Sequence, residues 1–134
     1  MVGVEPIMGD LSRDFSSKEF FCRCGDCDPL EMPKPSEELV AVLQAMRTAY
    51  GEPINITSGV RCPAANKAAG GVEDSAHLTG HAADIAVLNS RERFRLVELA
   101  LRSNVNRIGI GKTFIHLDLD RSKPDRVMWL YGNK

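Results

Sequence analysis

The stretch SAHLTGHAADI, residues 75–85, places two of the chain's three histidines and one aspartate within eleven positions. Imidazole and carboxylate groups gathered this closely are ligands for zinc, which in catalytic sites takes three protein ligands and keeps a fourth position for water. His77 and His81 stand four residues apart, as two ligands on one helical face would. Thr79 and Gly80 between them are poor helix formers, however, and no glutamate follows His77 as a helical metalloprotease motif requires. The other arrangement takes His77 from a loop, uses Gly80 for a tight turn, and lets Asp84 point inward from a strand over 82–87. His116, on a later strand, then completes a set of three with His77 and Asp84. Each residue also has an ordinary structural reading: a loop histidine, a strand-end carboxylate bonded to backbone amides, a half-exposed strand histidine.

Four cysteines, Cys22, Cys24, Cys27 and Cys62, form a second constellation, three of them inside FCRCGDC. Such clustering suggests reduced thiols or a metal site before a disulfide framework. A four-thiolate zinc site would normally show two matched Cys-x-x-Cys knuckles, and this spacing has only one. The pattern therefore favours small buried thiols packing a loop.

These residues must be positioned by the elements around them. Ser16 and Glu19 have capping-box spacing, so a short helix starts there and ends before the turn at 25–28. The prolines of DPLEMPKP make an extended connector, and Ser36 caps a helix running to Tyr50, with Leu39, Val42, Leu43, Met46 and Tyr50 along one face and Gly51 as its stop. PINITSG reads as a strand that delivers Arg61 at its end, and CPAANKAAGG as a helix of about two turns with Pro63 at its first position. HAADIAVL reads as a central strand, and NSRERFRLVELALRSN as a helix with Phe94, Val97 and Leu101 on its apolar face. RIGI, GK and TFIHLDLD form a hairpin whose second strand carries His116, Asp118 and Asp120 on one face, and RVMWLY is a candidate last strand. The order predicts an α+β domain, an antiparallel sheet covered by helices.

With 134 residues, the chain fits one domain, residues 1–134, burying roughly two-thirds of its unfolded surface. Seventeen basic side chains against 18 acidic ones, without long runs of either sign, give no footprint for nucleic acid. No segment approaches the ~18 apolar residues of a membrane span, and the N-terminus lacks the pattern of a secretory signal, so synthesis in the cytoplasm without that export route is expected. A monomer is the expected state.

ITSGVRCPAANKAAGGVEDSAHLTGHAADIAV together with IGIGKTFIHLDLD resembles the zinc D-alanyl-D-alanine carboxypeptidase and endopeptidase family, whose fold is shared with the hedgehog signalling domain. The resemblance spans about residues 11–131 and rests on three separated motifs: Ser58, Gly59 and Arg61; Ser75, His77, Gly80, Ala82 and Asp84; His116 and Asp118. It implies one Zn2+ ion held by His77, Asp84 and His116, with His81 at the rim. It also implies that Arg61 holds a substrate carboxylate or the oxyanion of the tetrahedral intermediate, and that Ser75 hydrogen-bonds substrate or the metal loop. The substrate implied is a peptidoglycan stem peptide, and the EFFCRCG opening looks like phage-type members, with action at the cell wall by host lysis or as a virion component.

One departure bears on mechanism. Many relatives carry a glutamate base three residues before the last histidine, where this chain has Thr113. Asp118, on the same strand face as His116, is then either the general base or a residue that orients a ligand, with Asp120 a weaker choice. Two functions follow: a zinc metallopeptidase cleaving stem peptides, or a zinc-bearing binding or structural domain of the same fold without turnover.

Overall fold

A computed structural model describes residues 9–132. The elements are α1 (Glu37–Tyr50), β1 (Ile56–Ser58), α2 (Pro63–Ala68), β2 (Ala82–Ala86), α3 (Ser90–Arg102), β3 (Arg107–Ile110), β4 (Phe114–Asp118) and β5 (Val127–Leu130), with short 3-10 turns at Ser17–Phe20 and Ala76–Thr79. The five strands lie in the order β1-β2-β4-β3-β5. All neighbours are antiparallel except β5, which crosses over to pair parallel with β3, so the expected all-antiparallel sheet has one parallel edge.

Local signals explain where the helices begin and end. Ser36 caps α1 by accepting from the Leu39 amide, and Gly51 ends it in the left-handed conformation. Asn89 caps α3 through the Glu92 amide, and the Ser16 and Glu19 capping box opens the first 3-10 turn. Leu39, Leu43 and Met46 of α1 are fully buried, whereas Val42 and Tyr50 only flank the core. The α3 face differs from the expected one: Leu96, Leu99 and Ala100 are buried, while Phe94 and Leu101 are exposed. The sequence of α3 carries two apolar stripes at helical spacing, and packing against α1 and β4 selects the second.

Alternation along the strands sorts the molecule into two sides. Ala83, Ile85, Ile108, Ile115 and Leu117 face α1 and α3 in one apolar cluster. Their alternate neighbours face the other way. Cross-strand registers align Ser58, Asp84, His116, Gly109 and Trp129 in one row across all five strands on that opposite face. The chain before α1 is docked on the β1 edge, where Arg23 donates to the carbonyls of Ile56 and Thr57 and the Val60 amide donates to Phe20. Edge carbonyls that would otherwise be unpaired are thereby satisfied.

Candidate metal centre

His77 lies in the second 3-10 turn, not on an α-helix, and Ser75 starts that turn by accepting from the His77 amide at 3.2 Å. Gly80 closes it in the left-handed conformation. His77 Nδ1 lies 2.6 Å from the Gly59 carbonyl oxygen. A carbonyl only accepts, so Nδ1 carries the hydrogen and Nε2 presents a lone pair. That Nε2 is 3.2 Å from Asp84 Oδ1.

The same logic fixes His116. Its Nε2 lies 2.8 Å from Asp118 Oδ2, and the other Asp118 oxygen accepts from Arg107 Nε at 2.7 Å and from the Asp120 amide. Burial opposes the charge on Asp118, but hydrogen bonding from His116 and the charges of His116 and Arg107 hold its carboxyl below the usual range. An ionised Asp118 can only accept, so His116 Nε2 donates to it, and Nδ1 faces Asp84 Oδ1 at 2.9 Å. Asp84 Oδ2 in turn accepts from Arg61 at 3.0 Å, while Arg61 Nε donates to Ser58.

Two imidazole nitrogens and a carboxylate oxygen thus converge, one donor atom from each residue lying within 4.8 Å of the other two. All three residues are buried, at 2%, 7% and 6% exposure for His77, Asp84 and His116. Burial would favour a neutral Asp84, but when protons occupy the facing His116 and His77 nitrogens in the metal-free protein, their hydrogen bonds and charge hold its carboxyl well below the usual range; with those protons lost, the same nitrogens are lone pairs. Three electron-rich atoms in a water-poor site need a positive charge among them, and the donor set fits zinc. A carboxylate behind one histidine and a carbonyl behind the other are the usual outer partners of metal-binding imidazoles.

The remaining sequence candidates fall elsewhere. His81 is turned away from the three and pairs with Thr79 Oγ1. Asp120 lies beyond the end of β4, where Ser122 and Lys123 occupy its oxygens. Thr113 lines the cleft at the β3–β4 turn.

The cleft over the three residues has a volume of about 780 Å³, and two of its walls were missed by sequence reasoning. Trp129 and Tyr131 stand beside His116, with ring centroids 5.5 and 6.4 Å from it. Gly109 makes room for them: a Cβ there would come within 2.6 Å of Tyr131 and 2.7 Å of Trp129. The signal was a pair of aromatics at alternate positions of the last strand, but only the parallel crossover brings that strand over His116. Burial raises the Tyr131 pKa, which keeps the phenol protonated and able to donate at neutral pH. Arg61, Arg107 and Lys123 also line the cleft, each paired with a carboxylate: Arg61 with Asp84, Arg107 with Asp118, and Lys123 with Asp74 and Asp120.

Comparison with known proteins fits this geometry. The family model for Peptidase M15 matches residues 13–118, a span that includes all three convergent residues. No curated protein matches the chain.

Proposed function

Because the chain belongs to the Peptidase M15 family, a family of zinc peptidases, we propose that it is a zinc-dependent hydrolase of peptidoglycan stem peptides, with His77, Asp84 and His116 as its metal ligands. The observation that carries this reading is the convergence of two oriented histidine nitrogens and a buried carboxylate in one cleft. A zinc ion bound there supplies a polarised scissile carbonyl and a water whose pKa is lowered toward neutrality.

The other residues have roles that follow from their contacts. Asp118 has both oxygens engaged, so we assign it to orienting His116 and not to proton transfer. Arg61 holds Asp84 in place and presents its guanidinium at the cleft wall, where a peptide carboxylate or a developing oxyanion finds a charged donor. Ser75 fixes the turn that carries His77 and also lines the cleft. Tyr131 is a neutral donor on the same cleft lining. Stem peptides end in carboxylates, for which Arg61 and Lys123 on the cleft lining offer charged donors, and a phage or prophage lytic role acting at the wall belongs to the same proposal.

One observation favours the reading without turnover. Besides Asp84, the carboxylates lining the cleft among the described residues are Asp74 and Asp118, and Asp118 is occupied. A metal-bearing domain that binds wall peptides without cutting them needs no base. Incubating the protein with purified muropeptides, with and without chelator, separates the two readings by product mass. Loss of a D-alanine mass marks a carboxypeptidase and splitting of the stem an endopeptidase. Unchanged masses across a broad panel overturn the hydrolase.

A further inference from the structure

The cysteines do not behave as loop packing. Cys24 is exposed and Cys22, Cys27 and Cys62 are only half-buried, so the thiols gain little by hiding from water. They nonetheless converge from two distant parts of the chain. Cys22, Cys24 and Cys27 come from the segment before α1, and Cys62 is the residue that caps α2. All four sulfurs lie within 4.8 Å of one another, with Cys24 to Cys27 at 3.4 Å and Cys24 to Cys62 at 3.9 Å.

These distances suit a cation. Four sulfurs, each about 2.3 Å from a central zinc in a tetrahedron, stand about 3.8 Å apart. A disulfide needs its sulfurs at about 2.0 Å, and all four thiols are free. Three of the sulfurs also receive backbone N–H groups at 3.4 Å: Cys22 from the Cys62 amide, Cys24 from Asp26, and Cys62 from Ala65. A neutral thiol is a weak acceptor, so amides aimed at three sulfurs of one cluster are arranged for thiolates. Gly25, at a φ of +83°, turns the chain between Cys24 and Cys27 so that the Asp26 amide points back at Cys24. Several thiolates this close need a positive charge. Arg23, the neighbouring cation in sequence, spends its guanidinium on the carbonyls of Glu19, Ile56 and Thr57.

We propose that Cys22, Cys24, Cys27 and Cys62 hold a second zinc ion in a closed, four-thiolate structural site, separate from the His77, Asp84 and His116 centre. Binding involves no redox change: four S–H protons pass to solvent, and four Zn–S bonds replace the ion's water ligands. The site clamps the segment before α1 to the start of α2. Cys62 directly follows Arg61, so the clamp also sets the backbone from which Arg61 reaches Asp84.

The test uses the full chain purified under reducing conditions. Elemental analysis is expected to give two zinc ions per chain, falling to one in the double variant Cys24→Ser, Cys27→Ser. Should that variant fail to fold, cobalt loading of the unaltered protein decides. Tetrahedral thiolate coordination gives an intense sulfur-to-cobalt charge-transfer absorption, expected to persist in His77→Ala and to vanish with the cysteine variant. That pattern is independent of whether the histidine centre is catalytic. No sulfur-to-cobalt band in the unaltered protein overturns the proposal, as does a metal count that the cysteine substitutions leave unchanged. A native mass lower by four hydrogens, which would mean two disulfides, overturns it as well.

Discussion

Asp84 Oδ1 is approached by two histidine nitrogens while its other oxygen is held by Arg61, so a single carboxylate organises the whole centre. Asp118 organises it from behind, and its removal should act on the metal before it acts on the fold. Asp118→Asn is expected to weaken zinc binding about 10–100-fold with little change in circular dichroism, measured by competition with a chromophoric chelator. Unchanged affinity with lost cleavage would instead make Asp118 the proton acceptor. The pH response follows from the same contacts. Burial pushes the His116 imidazole down, but hydrogen bonds to Asp118 and Asp84 win and raise its pKa above 6.5. Without metal, His116 therefore contributes stability that is full below the unfolded imidazole value and lost as pH rises through the folded one. Asp118, held below 3.8, contributes stability above that value that is lost as pH falls through its lower folded one. Thermal melts of metal-free protein should thus drop in midpoint as pH rises above about 6.5, the unfolded imidazole value, while the increment added by zinc grows, because its ligands must be deprotonated. A zinc increment that shrinks over that range would contradict the ligand set. The convergence of His77, Asp84 and His116 was legible because the motifs around them resemble the family's and few residue types can serve as ligands. The occupied state of Asp118 was not, since Arg107 meets it across a strand pair.

Among the elements, α3 shows where periodicity stops being informative. Phe94, Val97 and Leu101 form one stripe and Leu96, Leu99 and Ala100 another, and a helix wheel alone cannot rank them. The Asn89 cap and the neighbouring strand fix the rotation about the helix axis, which is long-range information. Leu99→Ala should cost about 2–5 kcal/mol of unfolding free energy, whereas Phe94→Ala, at 72% exposure, should stay within about 0.5 kcal/mol, both read from urea midpoints. Equal losses would mean that α3 sits in the rotation its sequence first suggests. The β3–β4 hairpin was legible because alternation and a glycine-containing turn are local. The parallel placement of β5 was not, because nothing in RVMWLY states which edge it will join.

At the scale of the molecule, the sheet is a partition: one face is covered by α1 and α3, and the other carries the row from Ser58 to Trp129. An α+β architecture was readable from element order, and no helix among the described residues is long and apolar enough to cross a membrane. The meeting of the cysteines was unreadable, because Cys62 lies 35 positions after Cys27 and only the docking of the first segment against β1 closes that gap. The chain has a single tryptophan, and it stands 5.5 Å from His116. Ultraviolet emission from this protein is therefore a one-position gauge of the cleft. Titrating zinc into the stripped protein should change its intensity as the neighbouring imidazole exchanges a proton for the ion, and the Asp84→Asn variant should abolish that change. Fluorescence-detected unfolding will for the same reason report when the indole leaves its histidine, so any loosening of the cleft ahead of the core would appear as a mismatch with far-ultraviolet dichroism.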